Sequence, residues 1–146
     1  MFFISHRGNL NGPNGIKENK KSYLLDALNK GFDVEVDIWF DNKNFYLGHD
    51  SPQEKIDISF LAEPKVWCHA KNLEALPNLK NINAHFFWHQ QDEVTITSKG
   101  FFWTFPGKKL FENSICVLPE KFSLSNLRNF NCAGVCSDYI AKVKND

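Results

Sequence analysis

In the stretch FDVEVDIWFDNKNFYLGHD, residues 32–50, Glu35 and Asp37 stand two positions apart in an otherwise apolar run. Successive side chains of a strand point to opposite faces, so Val34, Val36 and Ile38 would share one face and Glu35 and Asp37 the other. Two carboxylates drawn out of bulk water repel each other and lose solvation, unless a cation compensates them. A solvent-facing strand of an antiparallel sheet would also tolerate the pair. The histidines favour the first reading. His6 ends FFIS, His49 follows NFYLG, His69 lies near the end of KVWCHA, and His85 and His89 flank FFW. Imidazole titrates near neutrality and can give or take a proton. Arg7, directly after His6, offers a planar guanidinium suited to phosphoryl oxygens.

The elements that must carry these groups follow from pattern. Runs of strand length occur at 2–5, 32–40, 44–48, 65–70, 84–89, 100–105, 114–118 and 133–137. Residues 18–31 carry a helical stripe of Tyr23, Leu24, Ala27 and Leu28 ending at Gly31. Residues 72–79 and 123–130 read as shorter helices, the second with Ser123 as N-cap. The DNKN turn signal predicts a hairpin between 34–40 and 44–48. Strands separated by helices predict an α/β architecture with a largely parallel sheet, whose ligands gather at the carboxyl ends of the strands. On strand 65–70, Trp67, His69 and Lys71 would face one way and Cys68 and Ala70 the other.

The chain has 146 residues, a one-domain length, and 42% of them are hydrophobic, enough for a packed core. Seventeen basic and seventeen acidic residues cancel, which removes the electrostatic reason to expect nucleic acid as a partner. No apolar run approaches the length of a membrane span, and the opening MFFIS is too short for a signal-peptide core. Cys68, Cys116, Cys132 and Cys136 form no CxxC pair and read as reduced thiols of a cytoplasmic protein.

SHRGN (5–9), EN (18–19), GFDVEVDIWFD (31–41) and LGHD (47–50) together resemble the signature of the glycerophosphodiester phosphodiesterase family, within the phospholipase-C-like phosphodiesterases. HAK (69–71), FWT (102–104) and GVCSDY (134–139) are similar to later segments of that family. The resemblance covers mainly the first third of the chain. It implies a phosphodiesterase with a divalent metal and a small phosphodiester substrate, on a (β/α) barrel. For a chain this short, that barrel would be trimmed to about seven to eight mostly parallel strands with short or missing helices. By position, His6 and His49 would be the acid/base pair, Arg7 and Lys71 phosphate ligands, and Glu35 and Asp37 metal ligands. Glu18 and Asp50 would support them. His69 stands where the family has a third carboxylate, with His89 as a further candidate. The family metals are Mg²⁺, Ca²⁺ or Mn²⁺, and an imidazole ligand favours Mn²⁺ or Zn²⁺. Trp103 could wall the substrate pocket, although aromatic runs are commonly core. A non-catalytic module that binds a phosphorylated metabolite is the alternative reading. Apolar strand surface left bare by missing helices would favour a homodimer.

Overall fold

The computed structural model describes residues 1–122 and 130–145. Its strands are β1 (Phe2–His6), β2 (Asp33–Asp41), β3 (Asn44–Leu47), β4 (Glu54–Ile56), β5 (Val66–Ala70), β6 (His85–Trp88), β7 (Val94–Ile96), β8 (Phe102–Thr104), β9 (Ser114–Val117) and β10 (Gly134–Ser137). Among the described residues four short α-helices accompany them: α1 (Lys21–Asn29), α2 (Ile58–Leu61), α3 (Ala75–Asn81) and α4 (Ile140–Asn145). The expected helix at 123–130, with its Ser123 cap, lies essentially outside the described residues.

The expectation of a trimmed (β/α) barrel is not met. The ten strands form one mixed sheet, in which β2–β3, β3–β4 and β7–β8 are antiparallel ladders. The parallel part runs β6-β5-β2-β1-β10-β9-β8, and no ladder joins β6 to β8 among the described residues. The physical reason lies in the connections. Between β6 and β8 the chain has room only for β7, which turns back as a hairpin. The residues after β2 likewise form two antiparallel strands before α2 begins. Helices therefore cover only part of the sheet.

Strand alternation holds where it matters. Val34, Val36 and Ile38 pack with Leu24 and Ala27 of α1 and with Leu79 of α3. The other face buries Ile4, Trp67, Phe87, Trp103 and Ile115. There Phe87 of β6 and Trp103 of β8 stack with ring centroids 4.4 Å apart, so side chains bridge the gap that no ladder closes. The β2–β3 hairpin forms as expected. Asn42 and Lys43 take φ of 46° and 65°, the left-handed pair that a two-residue hairpin turn requires. Helix α1 starts later than the sequence predicts, because Asn19 adopts φ 57° in a turn that delivers its side chain to β2. No helix among the described residues is long and apolar enough to cross a membrane.

Candidate metal centre and catalytic pocket

Register brings the site together. β1 and β2 pair His6 with Glu35, and β2 and β5 pair Asp37 with His69. Ser5 pairs with Ser137, which sets Asp138 beside His6 just past the end of β10. Glu35 and Asp37 are almost wholly buried, at 2% and 0% exposure, and so do not belong to a solvent-facing strand.

Each carboxylate keeps an oxygen without a hydrogen bond: Glu35 Oε2 and Asp37 Oδ1. A buried acceptor left bare is costly, and two carboxylates buried on one strand face also repel each other. His69 completes the cluster. Its Nδ1 lies 3.1 Å from Asp37 Oδ1 and 3.7 Å from Glu35 Oε1. Its Nε2 lies 2.9 Å from the backbone carbonyl of His89, a contact that requires the proton on Nε2. A neutral His69 therefore turns its Nδ1 lone pair toward two carboxylates. That arrangement repels itself unless a proton or a cation lies between them. An imidazole that donates one N–H to a carbonyl and aims the other nitrogen at acidic oxygens is the usual posture of a metal ligand. One ligand atom from each of Glu35, Asp37 and His69 lies within 4.8 Å of the others, so the three fit a divalent cation.

Asp37 is held from several sides. Asn19 donates to its Oδ2 at 2.8 Å and accepts its backbone N–H at 3.0 Å. Arg7 Nε approaches Oδ2 at 3.0 Å as an ion pair, with its N–H not aligned for a hydrogen bond, and Lys71 Nζ lies 3.7 Å from Oδ1. Burial pushes the Asp37 carboxyl upward, but a proton on His69 Nδ1 and the Arg7 and Lys71 charges outweigh it and hold the group well below the usual carboxylate range. Glu35 goes the other way: burial, then the neighbouring Asp37 charge, raises it. Glu18 secures the opposite side of Arg7, with an oxygen 3.4 Å from Nη1, and accepts from Asn9 at 2.8 Å.

His6 has the geometry of an oriented base. Its Nδ1 shares a hydrogen bond with Asp138 Oδ1 at 2.7 Å, leaving Nε2 3.9 Å from Glu35 Oε2. Burial lowers its pKa, yet the Asp138 bond and the Glu35 charge prevail and the value ends above the ordinary one. Asp138 is depressed, because the His6 bond overcomes its own burial. Asp138 is fixed in turn by Asn9 at 2.8 Å and through its backbone N–H by Glu120 at 2.8 Å.

His6, Arg7, Glu35, His49, His69, Lys71, His89 and Trp103 all line one cavity of about 330 Å³. His49 sits on its rim with the side chain 45% exposed, its Nδ1 2.7 Å from Asp50 Oδ1. Gly48 makes that turn possible: it adopts φ 151°, and a Cβ there would come within 2.0 Å of the Ser51 carbonyl oxygen. His89 bonds Asp92 at 2.8 Å and stands outside the three-ligand cluster, with its ring 6.1 Å from that of His69. His85 lies apart from the site. It bonds Thr97 Oγ1 at 2.8 Å and packs on Trp67 near the opposite ends of the strands. Trp103 is both core and pocket wall.

Three supports escaped the sequence reading: Asp138, Asn9 and Asn19. Asp138 follows directly on a strand end, the same signal that singled out the histidines. The two amides lie within SHRGN and EN, yet nothing in those segments gives them a role, since their roles depend on the turns that fold them over Asp37 and Glu18. No protein-family model, curated protein or solved structure matches the chain.

Proposed function

We propose that the protein is a metal-dependent phosphodiesterase acting on a small diester of the glycerophosphodiester type. The observation that carries this reading is a cation-ready cluster, Glu35, Asp37 and His69, in one pocket with a carboxylate-oriented histidine and two cationic side chains. The motifs HRG, EN, DVEVD and HD supply His6, Arg7, Glu35 and His49 to that pocket and Asn19 to Asp37, and they support the same reading.

A divalent cation bound by Glu35, Asp37 and His69 would supply positive charge to a phosphoryl oxygen. His69 favours Mn²⁺ or Zn²⁺ over the harder Mg²⁺ and Ca²⁺. Arg7 and Lys71 lie beside the same cluster and would neutralise the remaining phosphoryl charge. In hydrolysis a water oxygen bonds to phosphorus and one ester P–O bond breaks. His6 Nε2, with Nδ1–H donated to Asp138, takes the water proton. His49, tied by Nδ1 to Asp50, returns a proton from Nε2 to the departing alkoxide. The products are a phosphomonoester and an alcohol.

The test is hydrolysis of bis(4-nitrophenyl) phosphate and of glycerophosphodiesters after chelation and after return of Mn²⁺, Zn²⁺, Mg²⁺ or Ca²⁺. Turnover that needs metal and is lost in Glu35→Gln supports the reading. Binding of diesters without turnover under every metal would leave the phosphometabolite-binding module in its place.

A further inference from the structure

The pocket is chemically lopsided. One side holds Glu35 with His6, Arg7, His69 and Lys71; the other is Trp103, Phe105, Pro106, Val117 and Leu118, with Lys121. Arg7 has Asp37 and Glu18 as ion-pair partners, and Lys71 approaches Asp37. No carboxylate among the described residues pairs with the Lys121 ammonium. Its neighbour Glu120 is turned away, accepting from Ser137 Oγ at 3.0 Å and from the Asp138 backbone N–H at 2.8 Å.

The turn that presents Lys121 is a built one. Leu118 adopts φ 46°, unfavourable for a branched side chain, and its N–H bonds the Cys136 carbonyl at 2.7 Å. A short 3₁₀ turn, Pro119–Lys121, follows, closed by the Lys121 N–H on the Leu118 carbonyl at 3.1 Å. Glu120 ties this turn to the end of β10, so Lys121 is held at the mouth next to the apolar wall.

We infer, resting on the phosphodiesterase reading, that the substrate is a diester one of whose alcohols carries a second anionic group, a carboxylate or phosphate, recognised by Lys121 beside Phe105 and Leu118. A cationic alcohol such as choline would meet an uncompensated ammonium there with no carboxylate to receive it. Lys121 is on this account a specificity-determining residue. It has no part in the bond-breaking step.

The experiment uses four glyceryl phosphodiesters whose second alcohol is choline, propanol, 3-hydroxypropanoate or propane-1,3-diol monophosphate. Loss of diester is followed by ³¹P NMR in Mn²⁺, which reads hydrolysis whichever ester bond breaks. The wild type should prefer the two anionic diesters over the choline diester in kcat/KM by about fivefold or more, the scale of one partly exposed ion pair. Lys121→Met should reduce that ratio to within about twofold, chiefly through KM. A preference of the carboxylate over the phosphate arm, or the reverse, names the anion. An equal or better choline diester, or a preference that survives Lys121→Met, overturns the inference while leaving the phosphodiesterase reading intact. If no diester is turned over in Mn²⁺, Zn²⁺, Mg²⁺ or Ca²⁺, that reading fails, and calorimetric binding of the same four compounds decides whether Lys121 recognises the anion. Tighter binding of the anionic pair that is lost in Lys121→Met upholds that recognition, and any other pattern, including no binding, overturns it.

Discussion

His69 Nδ1 and Asp37 Oδ1 face one another at 3.1 Å, and a neutral His69, its one N–H donated from Nε2 to the His89 carbonyl, brings no proton to that contact. The register of β2 on β5, which pairs these two residues directly, holds the two atoms at that distance. The sheet thus enforces a contact that is favourable only around a proton or a cation. Glu35, two residues back along the same strand face, adds the third donor atom.

The chemistry of His69 sets metal preference. His69→Glu should replace a neutral nitrogen donor with a third oxygen anion. We expect the order of affinities to move from Mn²⁺ and Zn²⁺ toward Mg²⁺ and Ca²⁺, because carboxylates suit hard cations and imidazole suits borderline ones. Competition titrations with the four metals read the order. An order identical to wild type would place His69 outside the ligand set.

Asp138 acts through His6. Asp138→Asn keeps a side chain of the same shape beside His6 Nδ1 but removes the charge that raises the His6 pKa and fixes its tautomer. Diester turnover should fall by about 10² or more. Metal affinity should stay near wild type, because Asp138 belongs to none of the three ligand positions. A variant with wild-type kcat would mean that His6 needs no orienting partner.

His85 makes a prediction about stability and pH. Burial holds its imidazole down to a pKa of about 4, against 6.5 in an unfolded chain. The unfolded state therefore binds the extra proton first as pH falls. The His85 contribution is fully present above the unfolded value and is lost progressively as pH drops toward the folded one. His85→Gln can keep the bond to Thr97 Oγ1 without titrating. Melting temperatures measured at about pH 7.5 and about pH 5 should differ less in the variant than in wild type. An equal difference would show that His85 is not buried as a neutral group.

Sequence alone reaches unevenly into this molecule. Alternation along β2 and β5 places Glu35, Asp37 and His69 on one face and Val34, Val36 and Cys68 on the other, since a period of two leaves no third option. Strand-end position likewise marks His6, His49 and His89, all of which line the pocket. It also marks His85, which lies at the start of β6 instead of its end. The barrel expectation fails for a local reason. Strands β4 (Glu-Lys-Ile) and β7 (Val-Thr-Ile) are three residues long, too short for any periodicity, yet they supply two of the three antiparallel ladders, the third being the expected β2–β3 hairpin. Asn19 sits inside what reads as the first turn of a helix. It leaves the helix because its amide satisfies Asp37 on two sides, a tertiary bond that no local pattern announces.

Glu35, Asp37 and His69 are proposed above to hold one divalent cation. Calorimetric titration of Mn²⁺ into metal-stripped protein tests it most directly, with circular dichroism confirming that each variant is folded. The account predicts a single site in wild type. Asp37→Asn and Glu35→Gln should each weaken it by about 100-fold or more, beyond the 10–100-fold loss typical of residues that only orient a ligand. Wild-type protein that takes up no Mn²⁺, or folded variants that bind it as tightly as wild type, would contradict the account.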